Sequence, residues 1–138
     1  MALVLDTGPI LAALDADDPA HKQCVRLIES CTEPLVVVAP TLVEIDYWIR
    51  KRLQPEVWQA FLGDLESGAY RPEHLEPWDL QRVAEMERDY AILDLGLVDA
   101  AAITVCERLN EQKVASLDHR HFGVVRPRHC AALQILPQ

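Results

Sequence analysis

Basic charge is scarce in this chain. Only 13 Lys and Arg stand against 22 Asp and Glu, a formal net charge of −9 over 138 residues. A protein that held nucleic acid simply by coating its backbone with cations would be basic, so that class is disfavoured. A nuclease that keeps metal cations in a carboxylate pocket behind a local basic rim remains compatible with the balance. Arg50, Lys51 and Arg52, then Arg120, Arg126 and Arg128, are the candidates for such a rim. A solvated surface with a few ion pairs explains any single one of them equally well. Paired cysteines are also missing. Cys24, Cys31, Cys106 and Cys130 have no C-x-x-C spacing, which favours buried free thiols over disulfides or a zinc knuckle. No apolar run approaches the ~20 residues that span a bilayer. The N-terminus enters an apolar stretch with no basic leader or cleavage site, so a cytoplasmic protein without membrane attachment is expected. No repeat, low-complexity tract or linker appears, and residues 1–138 are expected to form one domain.

What is present is organised around Leu3 to Ile10. Leu3, Val4 and Leu5 lack polar alternation, which suits a strand buried on both faces of a parallel sheet. Gly8 breaks the strand, and Pro9 suits the first turn of a helix running to about Leu14. Asp6 therefore stands where a central strand ends and a helix begins. In open α/β sheets that edge carries the ligand crevice. A helix-capping aspartate is the competing reading.

Further along, Asp17 or Asp18 can cap a second helix through Cys31, and Leu35 to Ala39 is a β-branched strand. Strand, helix and strand imply a right-handed parallel unit. Pro40 opens a third helix from Thr41 to about Leu53, with Leu42, Ile45, Ile49 and Leu53 inward and Asp46 paired to Arg50. Glu44 lies off that stripe, beside Thr41 and Trp48, on a face that meets either solvent or the crevice. Pro55 starts a fourth helix ending around Gly68, and Tyr70 to Leu75 reads as a short edge strand. Glu76 to Tyr90 reads as a fifth helix with Leu80, Val83, Ala84 and Met86 or Glu87 at its core boundary. Asp94 or Gly96 precedes an alanine-rich helix, Leu97 to Leu109, with Asp99 in its first turn. Val114 to Leu117 and Leu133 to Leu136 are the remaining strands, the former ending at Asp118.

Asp6 and Asp118 each close a strand, Asp99 opens a helix, and Glu44 follows a strand on a helix. If the first and fourth strands are neighbours, these acids converge at the switch point of the sheet. Clustered carboxylates repel unless cations neutralise them. Oxygen donors favour Mg²⁺ or Mn²⁺, which lower the pKa of a bound water and stabilise charge on a phosphate. The inferred chemistry is metal-dependent phosphodiester hydrolysis. The hydroxyls of Thr7, Thr41 and Ser116 can orient these acids, and structural roles are as well supported.

These residues resemble the PIN-domain family, and within it the VapC-type toxin ribonucleases. Leu-Asp-Thr-Gly-Pro-Ile at 5–10, Thr-Leu-Val-Glu-Ile at 41–45, Leu-Gly-Leu-Val-Asp-Ala-Ala at 95–101 and Ser-Leu-Asp-His-Arg-His-Phe at 116–122 carry the likeness. The resemblance implies an α/β/α sandwich whose parallel sheet has about five strands in the order 3-2-1-4-5. It implies Asp6, Glu44, Asp99 and Asp118 as catalytic metal ligands for Mg²⁺ or Mn²⁺, with Thr7 and Ser116 beside them. It further implies an RNA substrate of the tRNA or ribosomal RNA class, a cognate antitoxin and a homodimer. Arg120 is a candidate phosphate contact, and Trp48 and Trp58 are candidate antitoxin anchors with core packing as the alternative.

Three other readings are open. A zinc site from His119, His121, His129 and Cys130 lacks paired ligand spacing. A haloacid-dehalogenase-like phosphohydrolase would need a second aspartate where Gly8 stands. A catalytically inert PIN-fold module that only binds a partner is the third, and the presence of all four acids speaks against it. Asp94 is expected to be a helix cap.

Overall fold

The computed structural model describes every residue, Met1–Gln138. The centre of the molecule is β1 (Leu3–Leu5), flanked by β2 (Leu35–Val38) and β4 (Lys113–Ala115). The outer strands are β3 (Arg71–Glu73) and β5 (Gln134–Leu136). All pairings are parallel and the order is β3-β2-β1-β4-β5, as the resemblance implied. Val4 pairs with Val36 on one side and Val114 on the other.

The three inner strands are apolar on both faces because helices cover both. Side chains alternate along a strand, so Val4, Val36, Val38 and Val114 pack into one core and Leu3, Leu5, Val37 and Ala115 into another. The second core is closed by Ile10 of α1 (Thr7–Leu14), Ile45 and Ile49 of α3 (Ala39–Arg52) and Phe61 of α4 (Pro55–Ser67). Leu27 and Ile28 of α2 (His21–Ser30) pack against its edge. The first core takes Val83 and Met86 of α5 (Pro77–Asp89) and a continuous buried run, Ala100 to Ile103, from α6 (Leu97–Leu109). A short α7 (His119–Phe122) adds Phe122.

Several local expectations need correction. Ala20, not Asp17 or Asp18, occupies the cap position of α2, because Asp18 spends its carboxylate on the Ala20 amide and its carbonyl on the His21 amide. Leu80 and Ala84 face solvent, since α5 meets the core through a narrow seam of Val83 and Met86. Beside that seam, Arg82 and Asp79 form ion pairs with α6 instead. Strand β4 stops at Ala115, which leaves Ser116 and Leu117 as a connector into α7. The Asp46–Arg50 pair forms as expected at 3.2 Å. All four cysteines are free, Cys24 and Cys106 buried, Cys31 and Cys130 half-buried. No helix is long and apolar enough to cross a membrane.

Candidate functional site

A cavity of about 810 Å³ opens at the C-terminal edge of the sheet, where α1, α3, α6 and α7 meet. Asp6, Glu44, Asp99 and Asp118 all line it, four acids from four separate chain segments. Each arrives there by local logic. Asp6 is the residue after β1, held in extended backbone ahead of α1. Its carboxylate makes no capping bond to that helix; it accepts the Ser116 hydroxyl at 2.9 Å. The capping reading of Asp6 is therefore wrong for its side chain. Ser116 in turn accepts the Asp118 amide at 2.9 Å, so one buried hydroxyl ties the ends of β1 and β4 together.

Asp118 is the capping residue of the group. One of its oxygens accepts the Arg120 and His121 amides at 3.0 and 3.3 Å and fixes the start of α7. Its other oxygen lies 3.4 Å from His121 Nδ1. Asp99 stands in the first turn of α6, where a negative charge is stabilised by the unpaired amides. The His121 ring donates to Asp99 through Nδ1 and to the Leu93 carbonyl through Nε2, the latter at 3.0 Å. The Leu93 carbonyl can only accept, so Nε2 carries a proton, and the proton between Nδ1 and Asp99 lies between a ring and a carboxyl whose pKa values are both raised.

The electrostatics follow from burial and crowding. Asp6 is 6 % exposed, and its pKa is pushed up to about 6, first by burial and then by the charge of Asp99. Asp99 is also raised, by burial before all else, with His121 pulling against it and Asp118 and Glu44 adding to it. Burial disfavours the charged His121 ring, but its bond to Asp99 and the charges of Asp118 and Asp99 outweigh that and raise its pKa. Crowded acids with raised pKa values and one histidine between two of them describe a site short of positive charge.

The remaining expected residues separate. Thr7 lines the cavity with its hydroxyl buried and unpartnered, whereas the equally unpartnered Thr41 hydroxyl is buried in the first turn of α3, outside the lining. Arg120 does not reach the cavity; its guanidinium donates to the Leu93 carbonyl at 3.3 Å. Asp94 is a helix cap of another kind than the start of α6, which Gly96 holds: it closes the C-terminus of the 3₁₀ turn Ala91–Leu93 in left-handed backbone and lines the cavity. Trp58 stacks on Phe61 at 5.9 Å and joins the core edge, while Trp48 lines the cavity. The supposed zinc ligands scatter. His129 bonds the Glu111 carbonyl at 2.6 Å, His119 is exposed, and His121 has gone to the acids.

Sequence reasoning missed His121 as a cavity residue, whereas it names Arg52 as a rim candidate and places Trp48 on the Glu44 face. For His121 a signal existed, because three residues beyond a capping aspartate a side chain can fold back over the cap. The one group of His, Cys, Asp and Glu that brings ligand atoms within 4.8 Å of one another is Asp99, Asp118 and His121. The carboxylates of that group, with Asp6, Glu44 and the unpartnered Thr7 hydroxyl on the same cavity, are hard oxygen donors that fit a divalent cation retaining waters, whereas both His121 nitrogens are already bonded within the protein.

A parallel five-stranded α/β domain with a carboxylate cavity at the switch point between β1 and β4 is the class these features define. Residues 3–126 match the PIN domain family, and the chain belongs to that family. Over 135 residues, 98 % of this chain and all of the relative, it is 27 % identical to ribonuclease VapC26 of Mycobacterium tuberculosis. Among solved structures it resembles Mycobacterium tuberculosis VapC20, a Sarcin-Ricin loop cleaving toxin. That likeness has a TM-score of 0.77 at 21 % identity, over 84 % of this chain and 89 % of the other. VapBC2 of Rickettsia felis, in a structure bound to a DNA fragment from their promoter, matches with TM-score 0.68 at 14 % identity. That match covers 98 % of this chain and 97 % of the other.

Proposed function

We propose that this protein is a metal-dependent endoribonuclease and the toxin of a toxin–antitoxin pair. The observation that carries the reading is the convergence of Asp6, Glu44, Asp99 and Asp118 on one cavity with the Asp6 pKa driven to about 6. Asp6, Asp99 and Asp118, with Glu44 across the cavity, are the groups that would hold Mg²⁺ or Mn²⁺. Such an ion supplies a more acidic water and stabilises negative charge on the phosphate. The chain's own part is to fix these acids. Ser116 orients Asp6, the α7 amides orient Asp118, and His121 offsets charge between Asp99 and Asp118. Similarity to a named ribonuclease and to a toxin that cleaves a ribosomal RNA loop supports RNA as the substrate. Similarity to VapBC2 supports a cognate antitoxin, and exposed Val43, Tyr47 and Leu62 on α3 and α4 offer it apolar surface. A homodimer in the cytoplasm completes the reading.

The test is cleavage of total cellular RNA by antitoxin-free protein in Mn²⁺ or Mg²⁺ against EDTA, with cut ends sequenced. Discrete cuts that vanish in EDTA and return with added metal are expected. Folded protein that neither cuts RNA nor binds Mn²⁺ by calorimetry would make it an inert partner-binding module instead. Ser116→Ala should remain folded but bind Mn²⁺ about 10–100-fold more weakly, because the hydroxyl that aims Asp6 is gone. Unchanged affinity in the same titration would reduce Ser116 to a filler of the β1–β4 seam.

A further inference from the structure

Five carboxylates line the cavity: Asp6, Glu44, Asp94, Asp99 and Asp118. Arg52 is the single Lys or Arg among the lining residues, yet it pairs with none of them. Its side chain makes no hydrogen bond either. Instead its guanidinium lies over the Trp48 ring, 4.4 Å from the centroid, well inside cation–π range. The adjacent residues of the same turns repeat the arrangement, with Lys51 5.7 Å from the Tyr47 centroid and the Tyr47 and Trp48 rings edge-to-face at 5.0 Å.

Glu44, Trp48 and Arg52 are spaced four residues apart, so one stripe of α3 carries a carboxylate, an indole and a guanidinium in succession. Eight residues of helix separate Arg52 from Glu44 by about 12 Å along the axis. The cation is thus displaced from the acidic pole and prevented from collapsing onto it. Cations are favoured at a helix C-terminus, which accounts for charge in this last turn. It does not account for a guanidinium held on an indole at the wall of an acidic cavity.

Resting on the ribonuclease reading, we infer that Arg52, braced by Trp48, is the anchor for a phosphate of the single strand flanking the cleaved bond. A polyanion whose reacting phosphate sits among the carboxylates needs a second fixed point, and Arg52 is the one cation of the cavity wall with its donors free. His121 cannot serve, because both its nitrogens are engaged. Single-stranded nucleic acid suits this pair of groups, since guanidinium takes phosphate and the aromatic wall accepts stacked bases. An acidic peptide would use the guanidinium but leave the aromatic surface of Tyr47 and Trp48 without a matching group.

The experiment measures binding of a fluorescein-labelled single-stranded RNA 12-mer by anisotropy in EDTA from low to high salt. Cleavage in Mn²⁺ is followed in parallel. Arg52→Gln is compared with Arg26→Gln, which removes the same charge from an exposed site on α2 outside the cavity. Arg52→Gln should weaken binding about tenfold at low salt, as expected for one charge-assisted contact. Its salt slope should be shallower than the parent's by about 0.7. In cleavage it should raise KM with kcat little changed, and Arg52→Lys should recover only part of the loss. If Arg52→Gln and Arg26→Gln behave alike while the parent still cuts RNA, the anchor is refuted and the nuclease reading survives. If Arg52 governs binding but no variant or parent cleaves, Arg52 is an RNA contact only, and both the nuclease reading and the anchor beside a cleaved bond are overturned. Parent protein that neither binds nor cuts RNA overturns both. Loss of oligoglutamate binding in Arg52→Gln, with RNA binding intact, would assign this wall to a protein partner.

Discussion

Asp6→Asn is expected to abolish RNA cleavage while making the metal-free protein more stable at neutral pH. The two effects share one cause. Folding carries Asp6 from a carboxyl of pKa 3.8 to one of about 6, chiefly by burial and then by the nearby Asp99 charge. Between those values the native protein binds more protons than the unfolded chain, so metal-free stability falls as pH rises from 3.8 to 6 and stays low above. Two units correspond to about 3 kcal/mol at pH 7. Asparagine removes that cost and keeps an oxygen to accept the Ser116 hydroxyl. Parent and variant should converge near pH 4 and separate by up to that amount at pH 7.5, read by urea unfolding in EDTA. His121 acts in the same direction: its raised pKa contributes stability that is full below 6.5 and lost as pH climbs through the folded value. Adding Mn²⁺ should stabilise the parent and leave the variant nearly unmoved. An Asp6→Asn protein that is less stable than the parent at both pH values would mean that Asp6 is a structural residue.

Arg82→Met is expected to cost about 1.5–3 kcal/mol of stability, the range for losing hydrogen bonds to a charged group, here in a half-buried two-pronged ion pair. Arg82 grips both oxygens of Glu107, at 2.8 and 2.9 Å, and the two side chains are only 13 % and 11 % exposed. Burial opposes the Glu107 charge, but the Arg82 hydrogen bonds outweigh it and the pKa is lowered. Methionine fills the space and strands that carboxylate, whose remaining support is the Arg128 amide at 2.6 Å. The clamp matters because it joins α5 to α6, and α6 carries Asp99. Replacing both partners, Arg82→Met with Glu107→Met, should recover much of the loss, since no unpaired charge remains. Urea unfolding of the two single variants and the double gives the coupling. A single-variant cost below about 1 kcal/mol would class the pair with solvated surface bridges. The folded fraction should cleave RNA at the parent rate, because neither side chain touches the cavity.

Much of the fold is legible because its central strands are unalternated runs. Leu3–Leu5 and Val36–Val38 have no polar residue to turn outward, which only a sheet covered on both faces allows. Asp6, Asp99 and Asp118 are legible for a related reason: they stand at the ends of strands and the start of a helix, where α/β proteins place ligands. Glu44 is not decided by its own neighbourhood. A glutamate beside a helix stripe meets water by default, and only the packing of α3 against α1 and α6 turns it to the cavity. Leu80 errs the other way, since a helical period marks a face without saying how wide a neighbour covers it.

By itself the sequence determined which residue types stand at the carboxyl ends of the strands and how the apolar runs divide between two cores. Those are local matters of period, turn chemistry and charge. No local pattern places β4 beside β1, which only the family resemblance implied; the tertiary structure sets them side by side, so that Ser116 bonds Asp6 across 110 residues of chain and holds the Asp118 amide as well. It alone put His121 between Asp99 and Asp118 and sent Arg120 outside the cavity. Proton affinity in this cavity depends on which charges are brought within a few ångströms and how much water is excluded. Both are properties of chain segments far apart in sequence, and no local pattern encodes them.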